Sequence, residues 1–253
     1  MIHEIRYNYK RKELRADRDL LLNGMKITII TLFPEMFSGP FDHSIIKRAR
    51  EKKLIEIKFV NIRDFGEGKH KIVDDKPFGG GAGMIIKVDV LYKAIEKARD
   101  PKVTKNKEKV FLLGAHGKVF SASMAKELSN LDHLILLCGH YEGVDERIKN
   151  FIDGEISIGD FILTGGEIPA MLITDAVVRF NKGVIRDGAA LNESFFPYLE
   201  YPQYTQPRKF KNLQVPKILL SGNHKEIEEW KIKKSLTITK KLRPDLIEKD
   251  PKN

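Results

Sequence analysis

Cysteine is nearly absent: Cys138 is the single one in 253 residues. An intramolecular disulfide is therefore excluded, and a zinc site built from several cysteines is excluded with it. Long apolar runs are missing as well, since none approaches the roughly 18 residues that a helical membrane span needs. The first residues lack the apolar stretch of a secretory signal, so a cytoplasmic protein is expected. Neither GxxxxGKS/T nor GxGxxG occurs, which removes two familiar phosphate-binding glycine loops. There is no internal repeat, which sets solenoids and propellers aside. Of the seven histidines, only His140 stands near another soft ligand, in Cys138-x-His140. No matching pair lies elsewhere, so no metal site is expected.

What is present is an ordinary apolar content of 42%, enough for a substantial core. The net charge of +10 is unevenly spread. Residues 1–24 contribute +2, residues 25–200 only +1, and residues 201–253 contribute +7. A basic surface gathered at one end suits a phosphate backbone, although a lysine-rich solubilising tail would have the same composition.

Residues 1–24 are polar and end at Gly24, just before a clean strand pattern. Met25 is the expected natural start, and the preceding stretch a disordered or non-native extension. Lys26 to Phe33 is a β-branched run stopped by Pro34. Ile45 to Lys53 reads as a helix and Ile55 to Ile62 as a second strand. Val90, Leu91, Ala94, Ile95 and Ala98 recur at helical spacing. Val110–Leu113 and Leu134–Cys138 are continuous apolar runs, as expected of strands buried on both faces of a parallel sheet. Repeated β-then-α order predicts an α/β domain over 25–182. Residues 183–200 lack periodicity and carry Gly183, Gly188 and Pro197, which predicts a linker. Residues 201–253 read as a small helical domain with two helical stretches, around Glu226–Lys234 and Leu236–Leu242. Asn223 is the better placed N-cap for the first.

Glycine marks the candidate chemistry. Gly114-Ala-His-Gly117, Gly139-His-Tyr-Glu-Gly143 and the segment Ile158–Glu167 each follow an apolar run. Turns at the carboxyl ends of parallel strands are where ligands bind in open α/β sheets. Backbone N–H and C=O groups there could recognise an adenine edge and a ribose. Thr164-Gly-Gly-Glu167 resembles a capping box, but Pro169 would then fall inside the helix. The helix is expected to begin near Ile168, with Ile173, Ala176, Val177 and Phe180 on its apolar face. Phe78-Gly-Gly-Gly-Ala-Gly-Met84 reads either as a surface loop or as a lid that contacts substrate.

Four segments carry a resemblance to a known family. They are Cys138–Arg147, Ser157–Met171, Asp74–Met84 and Leu219-Leu-Ser-Gly-Asn-His-Lys-Glu-Ile-Glu-Glu-Trp230. Together they resemble the bacterial tRNA (guanine-N1)-methyltransferases, in the family's order, from Met25 to about Leu246. The resemblance implies a SPOUT fold, a parallel-sheet α/β domain tied in a deep trefoil knot, followed by a small all-helical C-terminal domain. It implies S-adenosylmethionine bound at the knot, a homodimer whose active site spans both subunits, and tRNA guanosine 37, preceded by guanosine 36, as target.

Carried over position by position, the cofactor wall would be Leu112, Leu113, Gly117, Gly139, Glu142, Gly143, Ser157, Ile158, Gly159, Phe161, Leu163, Gly165 and Gly166. The substrate would meet Asp74, Phe78, Ser194, Arg208, Lys209 and His224, and further lysines and arginines between 208 and 243 would grip phosphates. Arg179 matches the functional arginine. Where the family commonly has an Asp followed by Ser-Phe as general base, this chain has Asn192-Glu-Ser-Phe195, which puts Glu193 in that role. Where the family usually has Ser-Pro-Gln-Gly, this chain has Gly114-Ala-His-Gly117, and only the last glycine is retained. Magnesium dependence is a family trait, and the sequence offers no ligand cluster for it. Two other readings stand beside this one: a different knotted RNA methyltransferase, and a non-catalytic RNA-binding module.

Overall fold

The computed structural model describes residues 24–248. The expectation for the N-terminal extension therefore falls outside the described residues. The chain divides into two compact units, one ending at Ile185 and the second beginning at Arg186.

In the first unit, five parallel strands form a sheet: β1 (Met25–Thr31), β2 (Ile55–Asn61), β5 (Glu108–Val119), β6 (His133–Cys138) and β7 (Gly154–Ser157), in the order β2-β1-β6-β5-β7. A separate two-stranded ladder pairs β3 (Asp74–Asp75) with β4 (Ile85–Ile86). Helices α1 (Ser44–Glu51), α2 (Val88–Ala98), α3 (Ala122–Leu128) and α4 (Glu167–Val178) cover the sheet.

Every residue of β6 is buried, and its side chains divide by parity between two cores. Leu134, Leu136 and Cys138 join Ile27 and Ile29 of β1 beneath α1, α3 and α4. Ile135 and Leu137 join Ile30, Val110 and Leu112 beneath Val90, Leu91, Ala94, Ile95 and Ala98 of α2. The result is a three-layer sandwich, and the period-2 alternation sets its register, because a one-residue slip would exchange the two layers.

Three expectations need correcting here. Gly114–Gly117 is not a turn after a strand. It lies within β5, whose pairing with β7 slips between Leu113 and Lys118 so that both face Ile156. The strand bulges there because glycine and alanine offer no side chains to hold a regular ladder. Helix α4 begins at Glu167, next to the expected Ile168, with Gly166 as N-cap and Pro169 in the first turn as expected, where it forfeits no helical hydrogen bond.

Two further corrections concern the second unit. The two expected helices are one continuous helix, α5 (His224–Leu242), capped by the Asn223 side chain on the Glu226 N–H at 3.3 Å. The Ser235–Thr239 stretch does not interrupt it. Thr237 and Thr239 hydroxyls donate back to the carbonyls of Lys233 and Ser235 at 2.8 Å. Thr239 also accepts the Leu199 N–H, and Ser235 donates to the Leu199 carbonyl. The unit is not wholly helical, since β8 (Lys209–Phe210) pairs with β9 (Leu213–Gln214) in a short antiparallel ladder. A final turn of helix, α6, spans Asp245–Glu248. No described helix is long and apolar enough to cross a membrane.

Candidate active site

The bulge of β5 and the carboxyl ends of β6 and β7 open into one cleft in the first unit. Its walls are the bulge Leu113–Ala115, the loop Gly139–Gly143 after β6, and the segment Ile156–Gly166 that leaves β7, with Pro169 of α4 closing one side. Parallel pairing sets the β5 bulge level with the ends of β6 and β7, since Leu113 pairs with both Cys138 and Ile156, which is why residues some fifty positions apart converge.

The segment after β7 crosses back over the end of β6. Gly166 N–H donates to the Gly139 carbonyl at 2.9 Å, and a Cβ on Gly166 would stand 2.6 Å from Cys138 Cα. Only glycine allows two backbones to pass this closely. The loop after β6 is wound tightly: Gly143 N–H reaches the His140 carbonyl at 3.1 Å, and Tyr141 N–H reaches His140 Nδ1 at 2.9 Å. Tyr141 pays for this with φ of +60°, a conformation uncommon outside glycine. The Ser157 hydroxyl accepts the Gly159 N–H at 3.2 Å and turns the chain out of β7.

The glycine-rich segment before β4 is attached to this cleft. Glu142 N–H donates to Met84 O, and Ile86 N–H donates to Gly143 O, each at 3.1 Å. Gly83 lies directly against the Glu142 side chain, leaving no space for a methyl group. Phe78 stands 99% exposed at the head of this segment, and Gly79, Gly80, Gly81 and Gly83 all have positive φ. Asp74 pairs with Ile86 across the small ladder.

Beneath the cleft lies a buried carboxylate. Glu167, at the first position of α4, is 2% exposed and accepts a hydrogen bond from the Thr31 hydroxyl at 2.7 Å. Its second oxygen touches the open side of Gly165. Burial pushes the Cys138 thiol well above the usual range, and the nearby Glu167 charge adds to the shift.

Eleven of the thirteen expected cofactor residues line the cleft. The other two do not. Leu112 is buried in the opposite core layer beside α2, because its parity within β5 is the reverse of Leu113's. Gly117 is pressed against the backbone of Ile156 in β7. The cleft also contains Ala115, His140, Tyr141, Ile162, Thr164 and Pro169, which were not assigned from sequence. His140 packs its ring 5.0 Å from that of Phe33. The Thr31–Glu167 pair was also unassigned; a Thr at a strand end and a Glu more than a hundred residues away carry no joint signal.

Arg179 is the half-buried C-cap of α4. The remaining expected residues lie in the second unit. Glu193 is half-buried and follows the 3-10 turn Ala190–Asn192. The Ser194 hydroxyl accepts the Glu200 N–H at 3.0 Å. The Arg208 carbonyl accepts the Val215 N–H at 3.0 Å, Lys209 is exposed on β8, and His224 opens α5.

Among the described residues, no group of three or more His, Cys, Asp or Glu could hold a metal ion. The cleft does fit an adenosine-bearing ligand. Leu113, Ile156, Ile158 and Leu163 offer apolar walls, and Gly139, Gly143, Gly165 and Gly166 bring bare backbone to its edge.

These features define a class: a parallel α/β protein with a glycine-walled ligand cleft at the ends of its central strands. Comparison with known proteins narrows the class. Residues 25–249 match the tRNA (guanine-1)-methyltransferase TrmD family. The tRNA (guanine-N(1)-)-methyltransferase of Dictyoglomus turgidum is 54% identical over 227 residues, covering 89% of this chain and 91% of that protein. The enzyme of the same name from Carboxydothermus hydrogenoformans is 52% identical over 226 residues, covering 88% and 87%. That from Endomicrobium trichonymphae is 47% identical over 233 residues, covering 89% of this chain and all of that protein. The chain belongs to the tRNA (guanine-N1)-methyltransferase family.

Proposed function

We propose that this protein transfers a methyl group from S-adenosylmethionine to N1 of guanosine 37 in tRNA, the base next to the anticodon, where guanosine 36 precedes it. The product is 1-methylguanosine. The observation that carries the reading is the cleft itself: in a chain of this family, a glycine-bearing bulge and two glycine-bearing strand ends converge at one edge of a parallel sheet.

S-adenosylmethionine, when bound, supplies a methyl group activated by its sulfonium. The chain's residues do the rest. Leu113, Ile158 and Leu163 shelter the apolar parts of the ligand, and the backbone of Gly139, Gly165 and Gly166 faces its polar edge. Glu142 places a carboxylate at the rim, where it suits a cationic ligand. Guanine N1 carries a proton and is a weak nucleophile until that proton leaves. Glu193 accepts it as a general base. Arg179 offsets the negative charge that develops towards guanine O6. Extrusion of the guanine from its stack precedes this chemistry, and Asp74, Phe78, Ser194, Arg208, Lys209 and His224 bind the RNA.

The same reading includes the trefoil knot. Its support is the return of the chain from edge strand β7 across the end of β6, held by Gly166 on Gly139, before α4 joins the core beneath β1 and β6. It also includes a homodimer whose active site draws on both subunits. Ile168 and Leu172 support this, one turn apart on α4 and each nearly half exposed, as does exposed Met36. A cytoplasmic location follows from the substrate.

The decisive experiment is methyl transfer to tRNA transcripts that carry or lack guanosine at 36 and 37. Methylation should require guanosine 37. Equal incorporation into transcripts without it would overturn the substrate assignment. Failure to bind S-adenosylmethionine by calorimetry would instead favour a non-catalytic RNA-binding protein.

A further inference from the structure

The hairpin of the second unit has an unusual surface. Phe210 and Leu213 are direct cross-strand partners, so their side chains share a face. They are 61% and 73% exposed. Two large apolar groups this exposed on a two-residue ladder gain little from burial. They also leave an uncovered edge of the kind proteins usually blunt. The stretch of chain that carries them is strongly cationic. Between Glu200 and Glu226 there is no Asp or Glu, whereas Arg208, Lys209, Lys211, Lys217 and Lys225 all fall in that interval. Lys211 occupies the turn with φ of +52°, and its ammonium lies 5.7 Å from the Phe210 ring centroid.

An exposed aromatic face with a lysine beside the ring, on an acid-free basic stretch of chain, disfavours a basic partner and is poorly suited to a neutral protein groove. It suits a chain that is anionic along its backbone and presents flat rings, which is unpaired RNA. We propose that Phe210, backed by Leu213, is a stacking platform for an unpaired nucleotide of the tRNA, with Arg208, Lys209 and Lys211 on the flanking phosphates. This rests on the tRNA methyltransferase reading above and adds a specific contact to it. The platform reads no base identity, since every base has a face to stack. It acts on affinity and placement, and the chemistry stays with the cleft.

The test is steady-state methylation of a tRNA transcript, with filter binding of the same transcript as an independent measure. A stacked base is worth about 1–3 kcal/mol by alanine substitution, so Phe210→Ala should raise KM for tRNA roughly tenfold. The kcat at saturating tRNA and the S-adenosylmethionine affinity should be retained. Phe210→Trp should preserve KM, and Phe210→Leu should behave like Phe210→Ala, because stacking needs a ring. Lys211→Gln should reduce the salt dependence of binding by about one phosphate contact, whereas Phe210→Ala should leave that slope unchanged. Wild-type KM in Phe210→Ala would overturn the proposal. So would full rescue by Phe210→Leu, which would indicate apolar docking of a protein. If the wild type methylates no tRNA, the parent reading has failed, and filter binding then judges the platform alone.

Discussion

Replacing Gly166 by alanine should force apart the two segments that form the cleft floor. The new Cβ would stand 2.6 Å from Cys138 Cα, 2.9 Å from Cys138 Cβ and 3.0 Å from Gly139 N, where ordinary contact begins at 3.4 Å. Neither side has a flexible end that can yield, since both are backbone or the root of a buried side chain. The end of β6 and the start of α4 must therefore separate by about 0.8 Å, taken from 3.4 and 2.6 Å. Overpacking of this kind costs about 1–3 kcal/mol. Losing the Gly166 N–H to Gly139 bond adds about 1 kcal/mol.

A total of roughly 2–4 kcal/mol corresponds to a fall in Tm of about 4–16 °C for a domain of this size. A wall displaced by nearly 1 Å costs up to about 100-fold in rate. Gly139→Ala is the matched control, because its Cβ would meet only Leu113 O at 3.7 Å and Val144 Cγ1 at 3.9 Å. It should keep the wild-type Tm while its methyl group intrudes on the cleft and weakens S-adenosylmethionine binding. Thermal unfolding and calorimetric titration of both variants separate the two effects. Wild-type Tm and affinity in Gly166→Ala would refute the packing argument, and unchanged affinity in Gly139→Ala would move the cofactor out of this cleft.

Three further outcomes are expected. Glu193→Gln should lower kcat by about 10²–10⁴, the range of general-base catalysis, with S-adenosylmethionine affinity intact in calorimetry; near-normal turnover removes Glu193 from the mechanism. Cys138 is fully buried with its thiol pushed well up, by burial first and Glu167 second, so a thiol reagent at neutral pH should label it only on unfolding, and rapid labelling of the native protein would contradict this. His133 is buried between the Thr28 hydroxyl at 2.8 Å and the Glu108 carboxylate at 2.7 Å. Burial holds its pKa below the usual value; Glu108 and Asp100 oppose the shift, and Lys26 adds to it. The unfolded chain then binds the proton more readily, so this contribution to stability is complete above about pH 6.5 and declines as pH falls below it. Urea midpoints at pH 8 and pH 5.5 should differ less in His133→Asn than in the wild type, and an equal difference would exclude His133 as the source.

The α/β class was legible because parallel strands buried on both faces must be apolar throughout. Leu134–Cys138 could satisfy that demand only at the centre of a sheet, and β6 lies there. The spacing of Val90, Leu91, Ala94, Ile95 and Ala98 was equally explicit, since a helix that covers one face of a sheet needs one apolar stripe. The helix at Ala122–Leu128 gave too little periodicity in seven residues to be recognised. The break expected near Leu236 failed for a different reason. Hydroxyl side chains that weaken a helix locally are satisfied here by Leu199, and that partner is distant in sequence.

Local chemistry along the chain thus determined where four of the five strands of the sheet lie, where charge gathers, and which family the chain resembles. Each of these is a property of neighbouring residues. Tertiary structure alone decided that the bulged strand turns Leu113 into the cleft and Leu112 away from it. It alone brought Thr31 to Glu167 beneath the cleft and laid Gly166 across the end of β6. Those relations depend on strand order and register, and one-dimensional spacing does not carry the distance between residues a hundred positions apart.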